Sequence, residues 1–292
     1  MQKVTKAVIP CAGFGTRFLP ATKAIPKEMF PIIDMPSLQL IVKECVDSGI
    51  TDILIIISKR KQAIIDHFSE SKIIEELLKN TNKPDLLTKV QEPNKMANIS
   101  FTYQLEANGT ANAVLCAKEF ANGEPFALLY GDDLMYAPKK PVIRQLIDAY
   151  EKVERTIVGC QSMPKKEAIK YGVVIPGKTN GRLTELLGFV EKPPIEKCPS
   201  ELTSLGRYVL TPNVFDYVLK TPIAKNGEKY ITDTIKLMAD DFGAYAYDFE
   251  ARRYDIGDKV GLVEAIVEFG LRNTETKDRL KEYLSKLDLS KY

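Results

Sequence analysis

Short apolar runs alternate along the chain with stretches of helical period. Ala7-Val8-Ile9 is the first run, and Asp52 to Ile57 is a longer, β-branched one of the kind buried on both faces of a parallel sheet. Between them Leu38, Ile41, Val42, Cys45 and Val46 recur at helical spacing, with Ser37 placed to cap the helix and Gly49 to stop it. The three segments predict a βαβ unit with a right-handed crossover. Further strands are predicted at 99–103, 126–130, 156–161, 173–175, 189–191, 205–210 and 244–249. Helices are predicted at 62–68, 72–78, 112–120, 141–152, 212–220, 231–241 and 259–272. Residues 80–98 are polar and without period, and predict an exposed excursion. Interleaved strands and helices imply an α/β fold, a mixed and mostly parallel central sheet flanked by helices on both faces.

The tail from 258 to 292 reads as a helical extension. Its last part, Lys277 to Leu287, is a charged helix with Leu280, Leu284 and Leu287 along one side, a stripe that docks either on the domain or on a second subunit. No repeat, low-complexity segment or linker interrupts the chain, so residues 1–292 are expected to form one domain. The chain carries 41 basic and 39 acidic residues, a net charge of +2, which excludes a nucleic-acid coat or a membrane-surface protein but not a few local cations on phosphates. One histidine excludes a His-rich metal site. Five scattered cysteines (11, 45, 116, 160 and 198) without a C-x-x-C pair, no signal-like N-terminus and no apolar run of about 20 residues point to a soluble cytoplasmic protein with reduced thiols.

The chemistry concentrates first in residues 6–31. A strand ends in a loop with Gly13, Gly15 and Thr16, then Arg17, prolines at 20, 26 and 31, and cations at Lys23 and Lys27. Such a loop offers backbone N–H groups to phosphate without side chains in the way. It predicts a nucleoside triphosphate with Arg17 and Lys27 on its phosphates. A dinucleotide fingerprint fails because Phe18 stands where its third glycine belongs, and the following prolines forbid its helix. No P-loop string occurs. Asp132 and Asp133 follow the run 126–130, at the carboxyl end of a central strand, and are either a turn or a site for Mg²⁺ beside the triphosphate. Asp255, in Arg252-Arg253-Tyr254-Asp255-Ile256-Gly257-Asp258, reads as a loop residue or the cap of the helix starting near Asp258. Glu191 and Lys192 close another strand, and alone would be an ordinary surface ion pair.

Gly13, Gly15, Thr16, Arg17, Pro20, Thr22, Pro26, Lys27 and Glu28 together are similar to the signature of the bacterial UTP–glucose-1-phosphate uridylyltransferases, a branch of the sugar-nucleotide pyrophosphorylases. The resemblance continues in order through Gly131-Asp132-Asp133, Tyr171-Gly172-Val173-Val174, Val190-Glu191-Lys192-Pro193, Gly206-Arg207-Tyr208-Val209 and Arg253-Tyr254-Asp255. It implies a single-domain Rossmann-like nucleotidyltransferase fold, a homodimer or homotetramer, and transfer of a nucleotidyl group from UTP to glucose 1-phosphate with Mg²⁺. By the same resemblance Asp132 rather than Asp133 holds the metal, with Asp255 as a second ligand. Lys192 meets the sugar phosphate, Glu191 accepts from glucose hydroxyls, and Gly172 and Gly206 let backbone approach the hexose. Gln104 reads the uracil edge, with backbone of Ala12, Gly13 and Gly109 completing the base pocket.

Two places depart from that pattern. Asn108-Gly109-Thr110-Ala111-Asn112 stands where the family reads Leu-Gly-Leu-Gly-His, and Tyr230 stands where it generally has Gln. Thr110-Ala111 keeps open a thymidylyl- or adenylyltransferase acting on a hexose 1-phosphate. A nucleotide-sugar sensor without turnover is the reading from another class. Against the sensor stands the full set Arg17, Lys27, Asp132 and Lys192, which binding alone does not need.

Overall fold

In chain order the strands are β1 (Lys6–Pro10), β2 (Pro31–Ile32), β3 (Met35–Pro36), β4 (Asp52–Ile57), β5 (Asn98–Tyr103), β6 (Phe126–Leu129) and β7 (Asp133–Tyr136). They continue as β8 (Thr156–Ser162), β9 (Gly172–Asn180), β10 (Leu183–Glu191), β11 (Leu202–Leu210), β12 (Ala244–Asp248) and β13 (Arg252–Asp255). These come from a computed structural model, which describes residues 2–106 and 108–291. Nine of the strands form one sheet in the order β5-β4-β1-β6-β11-β8-β12-β10-β9. The half built from β5, β4, β1 and β6 is parallel. From β11 onward the sheet is mixed, with β11 antiparallel to β6 and β8, and β12 parallel to β8.

Alternation along the central strands explains why both faces are covered. Ala7, Ile9, Ile53, Ile55 and Ile57 pack with Leu38, Ile41, Val42 and Cys45 of helix Ser37–Asp47 on one face. Val8, Leu54 and Ile56 pack on the other with Val114, Ala117, Phe126 and Leu128. Each fully buried aliphatic side chain contributes about 1.5–3 kcal/mol, so the two cores fix the sheet and hence the loops at its carboxyl ends. Arg207 is the exception in this apolar setting. Its guanidinium is fully buried, donating to Glu44 at 2.7–3.2 Å and to the Asp133 carbonyl at 2.7 Å, which ties β11 to the first helix and to β7.

The structure departs from the sequence reading in several elements. Residues 84–95, expected to be irregular, form helix Pro84–Lys95, which joins helix Lys72–Asn80 through a 2.6 Å bond from Gln91 to Glu75. Pro84 suits the first turn, where its missing N–H leaves nothing unmade, whereas Pro93 hid the helical signal. Ser37 does not cap its helix: its hydroxyl donates to the Glu28 carbonyl at 3.0 Å and anchors the preceding loop. The helix expected at 112–120 is two short ones, Thr110–Leu115 and Lys118–Ala121. The short strands at 173–175 and 189–191 are the ends of one long hairpin, β9–β10, whose irregular register around Leu186 and Gly188 breaks the period. The pair β7–β13 was not expected at all. It sets Asp255 opposite Asp133 and so brings the late strand β13 beside Asp132 and Asp133. In the tail, Leu280 lies against Gly270, so helix Lys277–Lys286 folds back on helix Lys259–Arg272 of its own chain.

Candidate active site

One cavity of about 800 Å³ opens over the carboxyl ends of β1, β6 and β10. Of the residues singled out in the sequence, Ala12, Gly13, Arg17, Lys27, Gln104, Gly109, Asp132, Gly172, Glu191, Lys192, Gly206 and Asp255 all line it. Gly15 and Thr16 do not. They shape the loop instead. Gly15 is left-handed (φ +65), and its carbonyl accepts from the Thr22 hydroxyl at 2.8 Å, which closes the turn that sends Arg17 forward. Gly13 has open space where a side chain would begin, the room a backbone–phosphate approach requires.

The loop then divides two consecutive charges between solvent and core. Lys27 reaches across to Asp132 at 2.5 Å. Glu28 turns inward to Lys61, also at 2.5 Å. Burial pushes the Asp132 carboxyl up, but Lys27, its hydrogen bond and Arg17 outweigh this and hold it below the ordinary carboxylate range. At Glu28 burial dominates over Lys61 and Lys27, and the carboxyl sits above its ordinary value. Cys11 is buried beside the same pair, and desolvation pushes its thiol far up, which leaves it inert as a nucleophile.

The three carboxylates at the junction of β6, β7 and β13 differ in what they face. Asp133 is held by Arg253, with its Nε at 2.7 Å from Oδ1. Asp255 accepts from the Tyr171 hydroxyl at 2.9 Å through Oδ2 and from the Gly257 N–H at 3.1 Å through Oδ1. A Cβ on Gly257 would stand 2.8 Å from Asp132 Oδ2, 3.1 Å from Asp255 Oδ1 and 3.3 Å from Arg17 Nη2, so those three groups converge on one point beside a residue without a side chain. The cap of helix Lys259–Arg272 is Asp258, which accepts from the Val260 N–H, leaving Asp255 free of that duty.

At the other end of the cavity Glu191 accepts from the Thr232 hydroxyl at 3.0 Å, and burial raises its carboxyl despite Thr232 and Lys192. Lys192 is left-handed (φ +45), a conformation costing a non-glycine residue about 1–2 kcal/mol, and its N–H donates to the Tyr171 carbonyl at 3.0 Å. The sequence reading gave Gly172 and Gly206 room for the hexose. The structure supplies a nearer reason for both. A Cβ on Gly172 would come within 2.3 Å of Phe189, and one on Gly206 (φ +62) within 2.4 Å of Asp133. They line the cavity, yet the chain's own packing already demands glycine.

At the Gln104 end of the cavity, segment 108–112 is held by contacts within the chain. Gln104 donates to the Gly109 carbonyl at 3.3 Å, and a Cβ on Gly109 (φ +108) would stand 2.3 Å from the Lys229 carbonyl oxygen. Backbone bonds join Lys229 N–H to Asn108 and Ala111 N–H to Lys229, at 2.9 and 3.0 Å. The Thr110 hydroxyl accepts from the Ile231 N–H at 3.0 Å and so satisfies the start of helix Ile231–Phe242. Tyr171, Thr232 and Arg253 also line the cavity and had no role from the sequence; Tyr171 and Arg253 lay inside the matched strings, whereas Thr232 left no local signal. Thr110, marked in the sequence with Ala111 for base choice, lines the cavity as well.

The nucleotidyl transferase family model matches residues 6–270. This chain belongs to the nucleotidyl transferase family. It is 45% identical over 287 residues to a UTP–glucose-1-phosphate uridylyltransferase of Bacillus subtilis, covering 98% of each chain. It is 45% identical over 289 residues to the enzyme of the same name from Staphylococcus epidermidis, covering 99% of this chain and all of the relative. Among solved structures, a UDP-glucose pyrophosphorylase complexed with UDP-glucose superposes with a TM-score of 0.85 at 34% identity, covering 92% of this chain and 100% of that one. A UTP-bound UGPase from Acinetobacter baumannii superposes at 0.90 with 30% identity, covering 98% and 100%.

Proposed function

We propose that this nucleotidyl transferase makes UDP-glucose and pyrophosphate from UTP and glucose 1-phosphate. The observation that carries this is the single cavity with Arg17, Lys27, Asp132 and Asp255 at one end and Glu191 and Lys192 at the other. Relatives of matching length bear that enzyme's name, and the neighbouring structures hold UTP or UDP-glucose by their own descriptions. The Thr110 hydroxyl has a use within the chain, accepting from the start of helix Ile231–Phe242, and the base panel below tests whether it also bears on base choice.

The reaction joins two anions. The phosphate oxygen of glucose 1-phosphate attacks the α-phosphorus of UTP in line, and pyrophosphate leaves from the opposite side. The nucleophile is already ionised, so no general base is needed, and the barrier is one of positioning and charge. Arg17 and Lys27 neutralise the triphosphate and the leaving pyrophosphate. Lys192 screens the incoming sugar phosphate, and Glu191, with one oxygen on Thr232, accepts from a glucose hydroxyl. Ala12, Gly13 and Gly109 present backbone to the nucleotide, and Gln104 reads the uracil.

Asp132 and Asp255 fit Mg²⁺, a hard cation that prefers carboxylate and phosphate oxygens, and when bound it would neutralise phosphate charge as a Lewis acid. Among the described residues no group of three or more His, Cys, Asp or Glu could hold a metal. Two carboxylates completed by substrate phosphates are the usual arrangement for this ion. Asp133 keeps 8% of its side chain open against 26% for Asp132 and 24% for Asp255, and so would compete less.

The exposed Val260, Val263 and Ile266 on helix Lys259–Arg272 would serve as the contact of a homodimer or homotetramer. Five free cysteines suit the reducing cytoplasm. No helix among the described residues is long and apolar enough to cross a membrane. The deciding experiment assays pyrophosphate release from UTP, dTTP, ATP, CTP and GTP with glucose 1-phosphate, with and without Mg²⁺. UTP with Mg²⁺ should exceed every other combination, and equal turnover with dTTP or ATP would overturn the base assignment.

A further inference from the structure

We infer that Tyr230 positions the Lys192 ammonium for the sugar phosphate through the face of its ring. This rests on the reading that Lys192 meets that phosphate. The Lys192 backbone is fixed by its left-handed turn and its bond to Tyr171, but the side chain is more than half exposed. Its ammonium lies 3.7 Å from Glu191 Oε1 and faces the Tyr230 ring, 5.6 Å from the centroid. That separation lies within the range of cation–π attraction. The ring itself is held from both sides. The Tyr230 hydroxyl accepts from Asn226 Nδ2 at 2.7 Å, and the residue immediately precedes helix Ile231–Phe242, which Thr110 ties down. Glu191 alone would offset the lysine's charge that an anion needs. An aromatic face attracts the cation without neutralising it, so the charge stays available to phosphate while the long side chain loses freedom before binding.

A residue that only orders Lys192 acts on binding rather than on the chemical step, so its loss should raise KM for glucose 1-phosphate with kcat unchanged. The test compares Tyr230→Phe, Tyr230→Leu, Lys192→Gln and the double variant Lys192→Gln/Tyr230→Leu by steady-state pyrophosphate release, with thermal melting to confirm each fold. Tyr230→Phe keeps the ring and should stay within about twofold of wild type. Tyr230→Leu should raise KM for glucose 1-phosphate about two- to fivefold, the scale of an exposed cation–π contact, and leave KM for UTP alone. In the Lys192→Gln background the same change should add nothing further. A Tyr230→Leu effect of equal size in both backgrounds, or none in either, overturns the proposal while leaving the Lys192 assignment standing. A Lys192→Gln variant with unchanged KM for glucose 1-phosphate overturns both.

Discussion

Lys27 and Glu28 are neighbours in sequence, and each makes an ion pair of 2.5 Å, yet the two pairs do opposite work. Lys27 and Asp132 keep 15% and 26% of their side-chain surface open, inside the cavity. Lys61 and Glu28 keep 6% and 1%, beneath it. A buried pair stabilises little against apolar replacements of equal volume, but removing one partner strands a charge. An open pair has water and substrate as alternatives, so its charges can be redirected. The same short contact therefore marks a fixed strut on one side of the loop and a usable electrostatic group on the other. Distance does not separate them; burial does.

The largest way to sharpen that contrast is Lys61→Met. It leaves Glu28 buried without its partner, and should cost about 3–5 kcal/mol in denaturant unfolding, whereas a Lys61→Met/Glu28→Leu double variant should recover much of the loss. If the single variant unfolds like wild type, the pair is not a strut. Thr110→Val comes next. Removing the hydroxyl that receives the Ile231 N–H should cost about 1 kcal/mol, again by unfolding, as loss of a helix cap does. The smallest effect is on the pH dependence of stability, and its sign differs between the two pairs. Asp132 sits below its unfolded value, so it contributes stability above about pH 3.9 that is lost as pH falls through its folded value. Glu28 sits above its unfolded value, so its contribution is greatest below about pH 4.3 and diminishes as pH rises through its folded value. Unfolding curves of Asp132→Asn and Glu28→Gln against wild type, taken across that acidic range without metal, should diverge in opposite directions.

How far the site could be read from sequence follows the same division. The loop from Gly13 to Glu28 is contiguous, so its glycines, cations and prolines could be recognised as a unit, and Gly13, Arg17 and Lys27 from it line the cavity. Asp132 was legible as the end of a buried strand. The route by which Asp255 arrives was not, because β7 and β13 have four residues each, too few to show a period. Lys61 and Thr110 were invisible as partners because Glu28 lies 33 positions from the one and Ile231 lies 121 from the other. Helix Pro84–Lys95 was hidden by its own composition, two prolines in a polar stretch that buries little but Pro93. For Gly172 and Gly206 the sequence could not show the packing against Phe189 and Asp133 that also requires glycine there.

The central claim is that the more open pair, Lys27–Asp132, acts on phosphates rather than serving mainly to hold the fold. Pyrophosphate release by Lys27→Ala, at saturating UTP, glucose 1-phosphate and Mg²⁺, tests it most directly when paired with a melting curve of the same sample. Turnover should fall about 10²-fold or more, the scale of losing one preorganised electrostatic group, while stability falls by less than in Lys61→Met. Near-wild-type turnover from a folded Lys27→Ala protein would contradict the account.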